Sequence, residues 1–275
     1  MRLFPLRLAA AALAVLATAG GLGPASSAQA QQTPAIGLVV PASGQRNFEA
    51  DYGIHLGMMG QVGEARLRIN TNGPNYAAVF NREASGVARW AVGNSQDYKQ
   101  NARGSMTPEG LRPQSYERSG GRRGRVVRVA FTGADVVTTA TPALGSMGNP
   151  PASRAQRLEA IDDVSAFVAM VFGVVGADPC ARTIRIYDGR QRYDLALRPN
   201  GTQRVNIQGF RGEARRCSVS YRPLAGFTDP TSAKNGMTFV FAPMNHGAAW
   251  APVRVETVMD DDGVAVLQAT RVRLY

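Results

Sequence analysis

Five arginines crowd into one short stretch, Arg118, Arg122, Arg123, Arg125 and Arg128, with Gly120, Gly121 and Gly124 among them. Guanidinium forks match the paired oxygens of phosphate or carboxylate, and glycines let backbone amides come close to a ligand. The stretch is therefore a candidate anion site, and a solvated hairpin loop is the competing reading. Other reactive residue types are sparse. His55 and His246 are the only histidines, too few and too far apart for a metal site of regular spacing. Asp260, Asp261, Asp262 and Gly263 lack the spacing of a calcium loop and read as a hairpin turn. Glu159, Asp162 and Asp163 read as the solvated face of a helix near its start. There is no HExxH, no nucleophile elbow and no second cysteine pair. The expectation is a non-enzyme with no catalytic residues, no metal and no cofactor.

The two cysteines, Cys180 and Cys217, point to a staple instead of a reactive thiol. No CxxC surrounds them. Cys180 shares its parity with Ile184 and Ile186, and Cys217 shares its own with Val219 and Tyr221. On strands both sulfurs then face one side, the apolar one. A disulfide suits an oxidising compartment, and the N-terminus agrees. Arg2 and Arg7 precede an apolar stretch from Leu8 to Leu22, which Ala28-Gln29-Ala30 closes, the pattern of a secretory signal peptide. Residues 1–30 are read as that signal, 31–45 as a flexible lead-in with a short strand at Ile36–Val40, and 46–275 as a single mainly-β domain. The chain carries a formal charge of +11, and without Arg2 and Arg7 it carries +9. A basic exported chain meets anionic lipid, lipopolysaccharide or envelope proteins; nucleic acid is an unsuitable partner there. After signal removal, no segment is long enough to span a membrane.

The elements that must position these residues are mostly strands. Phe48, Ala50, Tyr52, Ile54 and Leu56 alternate with polar residues, as do Ala65, Leu67 and Ile69. The two runs read as an antiparallel hairpin with one wet face. Further strands are expected at Tyr76–Phe80, from Val127 to Phe131, at Val136–Ala140, Arg182–Tyr187, Arg190–Leu197, near Val205, at Cys217–Tyr221 and Met237–Phe241, and on both sides of Asp262-Gly263. Residues 84–93 fit either a short helix or a strand. Residues 104–116 read as irregular because of Pro108 and Pro113. Asp188-Gly189 and Asn200-Gly201 read as turns, with Arg190, Arg192 and Asp194 facing out. One helix is expected, capped by Ser153 and ending at Gly176, with an apolar second half. The resulting fold class is mainly β: a single curved antiparallel sheet, an open barrel or β-spiral, wrapped around one buried apolar helix.

In order and spacing, "FEADYGIHLGMMGQVGEARL", "GSMTPEGLRPQSY", "DDVSAF", "CARTIRIYDGRQRYDL", "CSVSYRPLAGF" and "PVRVETVMDDDGVAVLQA" together resemble a family of exported Gram-negative envelope proteins, domain of unknown function 3108. The resemblance implies a periplasmic protein with a curved, mainly antiparallel sheet and carries over no catalytic residue. The function expected is a periplasmic non-enzymatic binding or scaffolding protein that supports envelope integrity, with a lipid or an envelope protein as partner. The alternative is a hydrolase acting on envelope polymers, for which Asp51, His55 and His246 are the candidate residues.

Overall fold

The computed structural model describes residues 44–86, 89, 97–121, 123–173, 177–228, 236–259 and 263–275. The expected signal peptide, the Ile36–Val40 strand and Asp260–Asp262 lie outside these residues, as do Arg122 and most of 84–93. Seven strands come first: β1 Gln45–Leu56, β2 Gln61–Asn72, β3 Asn75–Ala84, β4 Tyr98–Thr107, β5 Gly110–Gly120, β6 Arg125–Phe131 and β7 Val136–Thr141. Helices α1, Arg154–Leu158, and α2, Asp163–Phe172, follow. Six strands complete the chain: β8 Arg182–Tyr187, β9 Arg192–Ile207, β10 Phe210–Ala225, β11 Met237–Met244, β12 Ala249–Met259 and β13 Gly263–Leu274. Gln45, expected in the lead-in, already belongs to β1.

All thirteen strands form one sheet in the order β7-β6-β5-β4-β3-β2-β1-β13-β12-β11-β10-β9-β8, and every neighbouring pair is antiparallel. The fold is mainly β, as expected. Sequence order runs unbroken around the sheet, with β13 pairing back onto β1, and the ladder stops only between β7 and β8. Parity explains the gap. An odd number of strands cannot alternate all the way around a ring, so β7 and β8 run in the same direction. Joining two such strands takes a crossover, commonly helical, and residues 142–181 supply it.

The sheet curls far enough to bring its ends together. The Thr138 hydroxyl on β7 lies 2.9 Å from the Tyr187 hydroxyl on β8. Gly189, at φ +96° in the β8–β9 turn, is so close to β6 that an added Cβ would stand 2.8 Å from Val127 Cγ1. α2 lies inside the curl. It touches β3, β4 and β5 on one side and β8 and β12 on the other, and the Phe167 ring stacks on Phe80 with centroids 5.1 Å apart. Val164, Val168 and Val171 are wholly buried. Among the described residues no helix is long and apolar enough to cross a membrane.

Four local expectations are corrected. The single helix is two. Ser153 caps α1 with a reciprocal Gln156 contact, as expected. The chain then leaves the helix so that Ile161 can bridge β8, its N–H bonding Arg185 O at 2.9 Å and its carbonyl accepting from Tyr187 N at 2.8 Å. That pairing covers the free edge of β8. Residues 104–116 are regular, forming the β4–β5 hairpin around Pro108-Glu109. Pro113 is tolerated there because it sits at a bulge, before β6 begins pairing at Ser115. Asn200-Gly201 is a bulge within β9, two residues opposite Arg216, with Gly201 at φ +84°. Arg192 has the outward parity but is 0 % exposed. The crossover lies over it, and its guanidinium donates to Gln156 O at 3.0 Å, Glu159 Oε1 at 3.0 Å and Asp194 Oδ1 at 2.5 Å.

Candidate anion-binding mouth

Alternation along the early strands decides which arginines look inward. On β3 the inner residues are Tyr76, Ala78 and Phe80, and the next of that parity is Arg82. The register carries this row across the sheet as Arg82–Tyr98–Gly120–Arg125, and the row beneath it as Phe80–Gln100–Arg118–Val127. Three guanidinium groups therefore stand on the concave face near one end of the curl, and Arg123 joins them from the β5–β6 turn. Together they line a pocket of about 560 Å³, walled also by Tyr98, Gln100, Val127 and Leu144. No carboxylate is among its described lining residues. Gly120, at φ +130°, keeps space between Tyr98 and Arg125, since a Cβ there would collide with the Asp97 carbonyl oxygen.

The arginines are held in place by the protein. Arg82 lies over the Tyr98 ring, 4.8 Å from its centroid. Arg125 donates to Pro142 O at 3.0 Å and Ala143 O at 3.2 Å at the start of the crossover. Arg118 pairs with Asp188 Oδ2 at 3.4 Å. Burial pushes the Arg82 guanidinium below its usual range, and the like charge of Arg118 acts in the same direction. An anion in the pocket would offset the repulsion from Arg118.

Beneath Arg118 the interior turns acidic. Asp188 caps the β8–β9 turn, its Oδ1 accepting from Arg190 N at 2.9 Å and Gln191 N at 2.6 Å. Asp163, on the first turn of α2, accepts from the Tyr193 hydroxyl at 2.8 Å and the Tyr116 hydroxyl at 3.2 Å. Burial pushes its carboxyl up to about 6, with Asp188 adding to the shift. Asp162 is 0 % exposed and caps α2. It accepts from Val164 N, Ser165 N and Ser165 Oγ at 3.0, 2.8 and 2.6 Å, and burial pushes it up to about 7 against those bonds. Ser165 Oγ in turn lies 2.6 Å from the Tyr76 hydroxyl. The solvated acidic face expected at Asp162 and Asp163 is thus a buried polar cluster; of the three acids only Glu159 stays on the surface, pairing with Arg185 and Arg192.

The five arginines singled out from sequence separate. Arg118, Arg123 and Arg125 meet in the pocket. Arg128 has the opposite parity and pairs outside with Glu117 at 2.7 Å, and Arg122 lies outside the described residues. Arg82 was missed, although extending the Tyr76–Phe80 alternation by two residues identifies it. The candidate hydrolase residues do not assemble. Asp51 is held on the outer face by Arg66 and Arg271. His55 is near the end of β1, in the row of Val266 and Glu256, and His246 lies beyond the opposite end of β12. The cysteines do meet: Cys180 and Cys217 form a disulfide with Cα atoms 5.3 Å apart, both buried.

No curated protein matches the chain. Among the solved structures similar to it are these two. One is a Bacteroides fragilis protein of YmcC-like fold, 11 % identical, with 86 % of this chain and 99 % of that one covered and a TM-score of 0.32. The other is a β-barrel-like protein of domain of unknown function DUF1849 from Brucella abortus, 8 % identical, with 86 % and 100 % covered and a TM-score of 0.34. The family model described as "Protein of unknown function (DUF3108)" matches residues 47–270, which run from β1 into β13, and the chain belongs to that family.

Proposed function

We propose that the protein is a non-enzymatic binding protein of the cell envelope, exported to the periplasm, that holds the phosphate or carboxylate of an envelope lipid, lipopolysaccharide or glycan in the arginine mouth. The observation that carries this reading is the convergence of Arg82, Arg118, Arg123 and Arg125 on one concave pocket without a lining carboxylate. Guanidinium groups gathered on one pocket repel one another, and an anion of matching geometry offsets that repulsion. Support for export comes from the Cys180–Cys217 disulfide, a bond typical of oxidising compartments.

The rival reading, hydrolysis of envelope polymers, would place an acid, base or nucleophile where the polymer binds, and the described residues of the arginine mouth do not supply one. Among the described lining residues none carries a carboxylate, imidazole, thiol or aliphatic hydroxyl. Titration calorimetry with inorganic phosphate and glucuronate tests the proposal. The wild-type chain is expected to bind at least one of them, and R118Q and R125Q each to weaken binding roughly tenfold. A wild-type chain that binds neither sinks the reading.

A further inference from the structure

The β1–β2 connection is a 3-10 turn, Gly57–Met59, closed by Gly60. Met58 is 106 % exposed and Met59 61 %. Two adjacent large apolar side chains projecting into water at the tip of a hairpin serve no core. From Leu56 to Val62 the sequence is Leu-Gly-Met-Met-Gly-Gln-Val, with no charged group to desolvate.

Strand direction fixes where this tip points. β1 runs out to it and β2 returns from it. Because neighbours alternate, the β3–β4 and β5–β6 connections and the β8–β9 turn lie at the same end of the curl. That end also holds the mouth: Arg82 is late on β3, Arg118 late on β5, Arg123 on the β5–β6 turn and Arg125 first on β6. The apolar tip and the cationic pocket therefore face the same way.

We infer that this end of the protein docks on a lipid surface bearing phosphate headgroups, with Met58 and Met59 entering the layer and the arginine mouth taking a headgroup phosphate. The inference rests on the anion-binding reading of the mouth and adds the partner. A short apolar insertion or a cationic patch alone gives weak, reversible attachment, whereas the two together give a stable one. A protein partner would bury the methionines equally well. The charge on the same face favours a phosphate-bearing surface instead. Gly263 stands beside Gly57 of the β1–β2 turn, and in sequence it follows Asp260, Asp261 and Asp262, whose charge opposes such a surface; the phosphate contact is therefore assigned to the arginine mouth and only the apolar insertion to Met58 and Met59.

Co-sedimentation of the mature chain with vesicles tests this, comparing phosphatidylglycerol-rich with pure phosphatidylcholine vesicles. The wild-type chain is expected to partition to the anionic vesicles. M58S/M59S is expected to lose roughly tenfold of that partition while binding soluble phosphate unchanged. R118Q/R125Q is expected to lose both. Because Met58 and Met59 touch no core, the variant folds. Partition of M58S/M59S equal to wild type overturns the docking inference. So does a wild-type chain that binds soluble phosphate but ignores anionic vesicles, or methionines protected by a co-purifying protein instead of lipid. If R118Q/R125Q still partitions fully and no soluble anion binds, the mouth reading fails, and with it this inference.

Discussion

The strands before the helices and the strands after them enclose the same α2, and they do so with different chemistry. On the later wall Cys180, Ile184, Leu197, Cys217 and Phe241 form an apolar cluster with Ala166 and Met170 of α2, locked by the disulfide. On the earlier wall Phe80 stacks on Phe167 of α2, and the inner rows end in arginines at the mouth. α2 belongs to both walls, and Asp163 accepts one hydrogen bond from each, Tyr116 on β5 and Tyr193 on β9. The comparison teaches that the disulfide-locked apolar core and the arginine cluster occupy opposite sides of one helix. A covalent link on one wall leaves the other free to carry repelling charges.

Removing the link is the strongest test. C180S/C217S opens a loop with a sequence separation of 37 and is expected to cost about 4 kcal/mol in urea unfolding. Reductant should bring wild type to the same midpoint, and a midpoint unmoved by either treatment would break the contrast between the walls.

The shared polar cluster gives the next effect. In the folded state the Asp163 carboxyl is raised to about 6 from an ordinary 3.8, so the folded chain binds a proton that the unfolded chain releases. Its contribution is complete below about pH 4 and is lost as pH rises through about 6, on the order of 2–3 kcal/mol. Urea midpoints measured from pH 4 to 8 should fall over this window, and D163N should reduce the fall while leaving the part due to Asp162, whose carboxyl is raised to about 7. Asp162→Ala removes the α2 cap and is expected to cost roughly 2 kcal/mol at neutral pH, read in the same assay.

The smallest effect separates inward from outward arginines. R128Q breaks only the exposed pair with Glu117 and is expected to change stability by less than about 1 kcal/mol. It should leave anion binding intact, whereas R118Q should weaken it; equal effects of the two would show that parity does not define the site.

Much of this was legible in the sequence, and the failures share one cause. The alternations at Phe48–Leu56 and Ala65–Ile69 revealed a hairpin because each strand has one wet face. The parity of Cys217 on β10 put its sulfur inward for the same reason, while Cys180 reaches it from the turn before β8. Asp162 and Asp163 were misread because acids near a helix start ordinarily meet water; here the sheet curls over that end and supplies Tyr76, Tyr116 and Tyr193. Arg192 was misread because its parity is outward, and the segment covering it comes from thirty-odd residues earlier in the chain. Arg82 escaped notice because it stands alone in sequence and meets the other arginines only across β4.

By itself the sequence determined the strand class, the inward side of the strands whose apolar alternation is clean, and the cysteine pair. Those follow from the two-residue period of extended backbone, a local property. Only the tertiary structure decided which end of the curl became basic, which acids became buried and where the ladder breaks. Those outcomes depend on register and strand count, and thirteen antiparallel strands leave one seam that a helical crossover must fill.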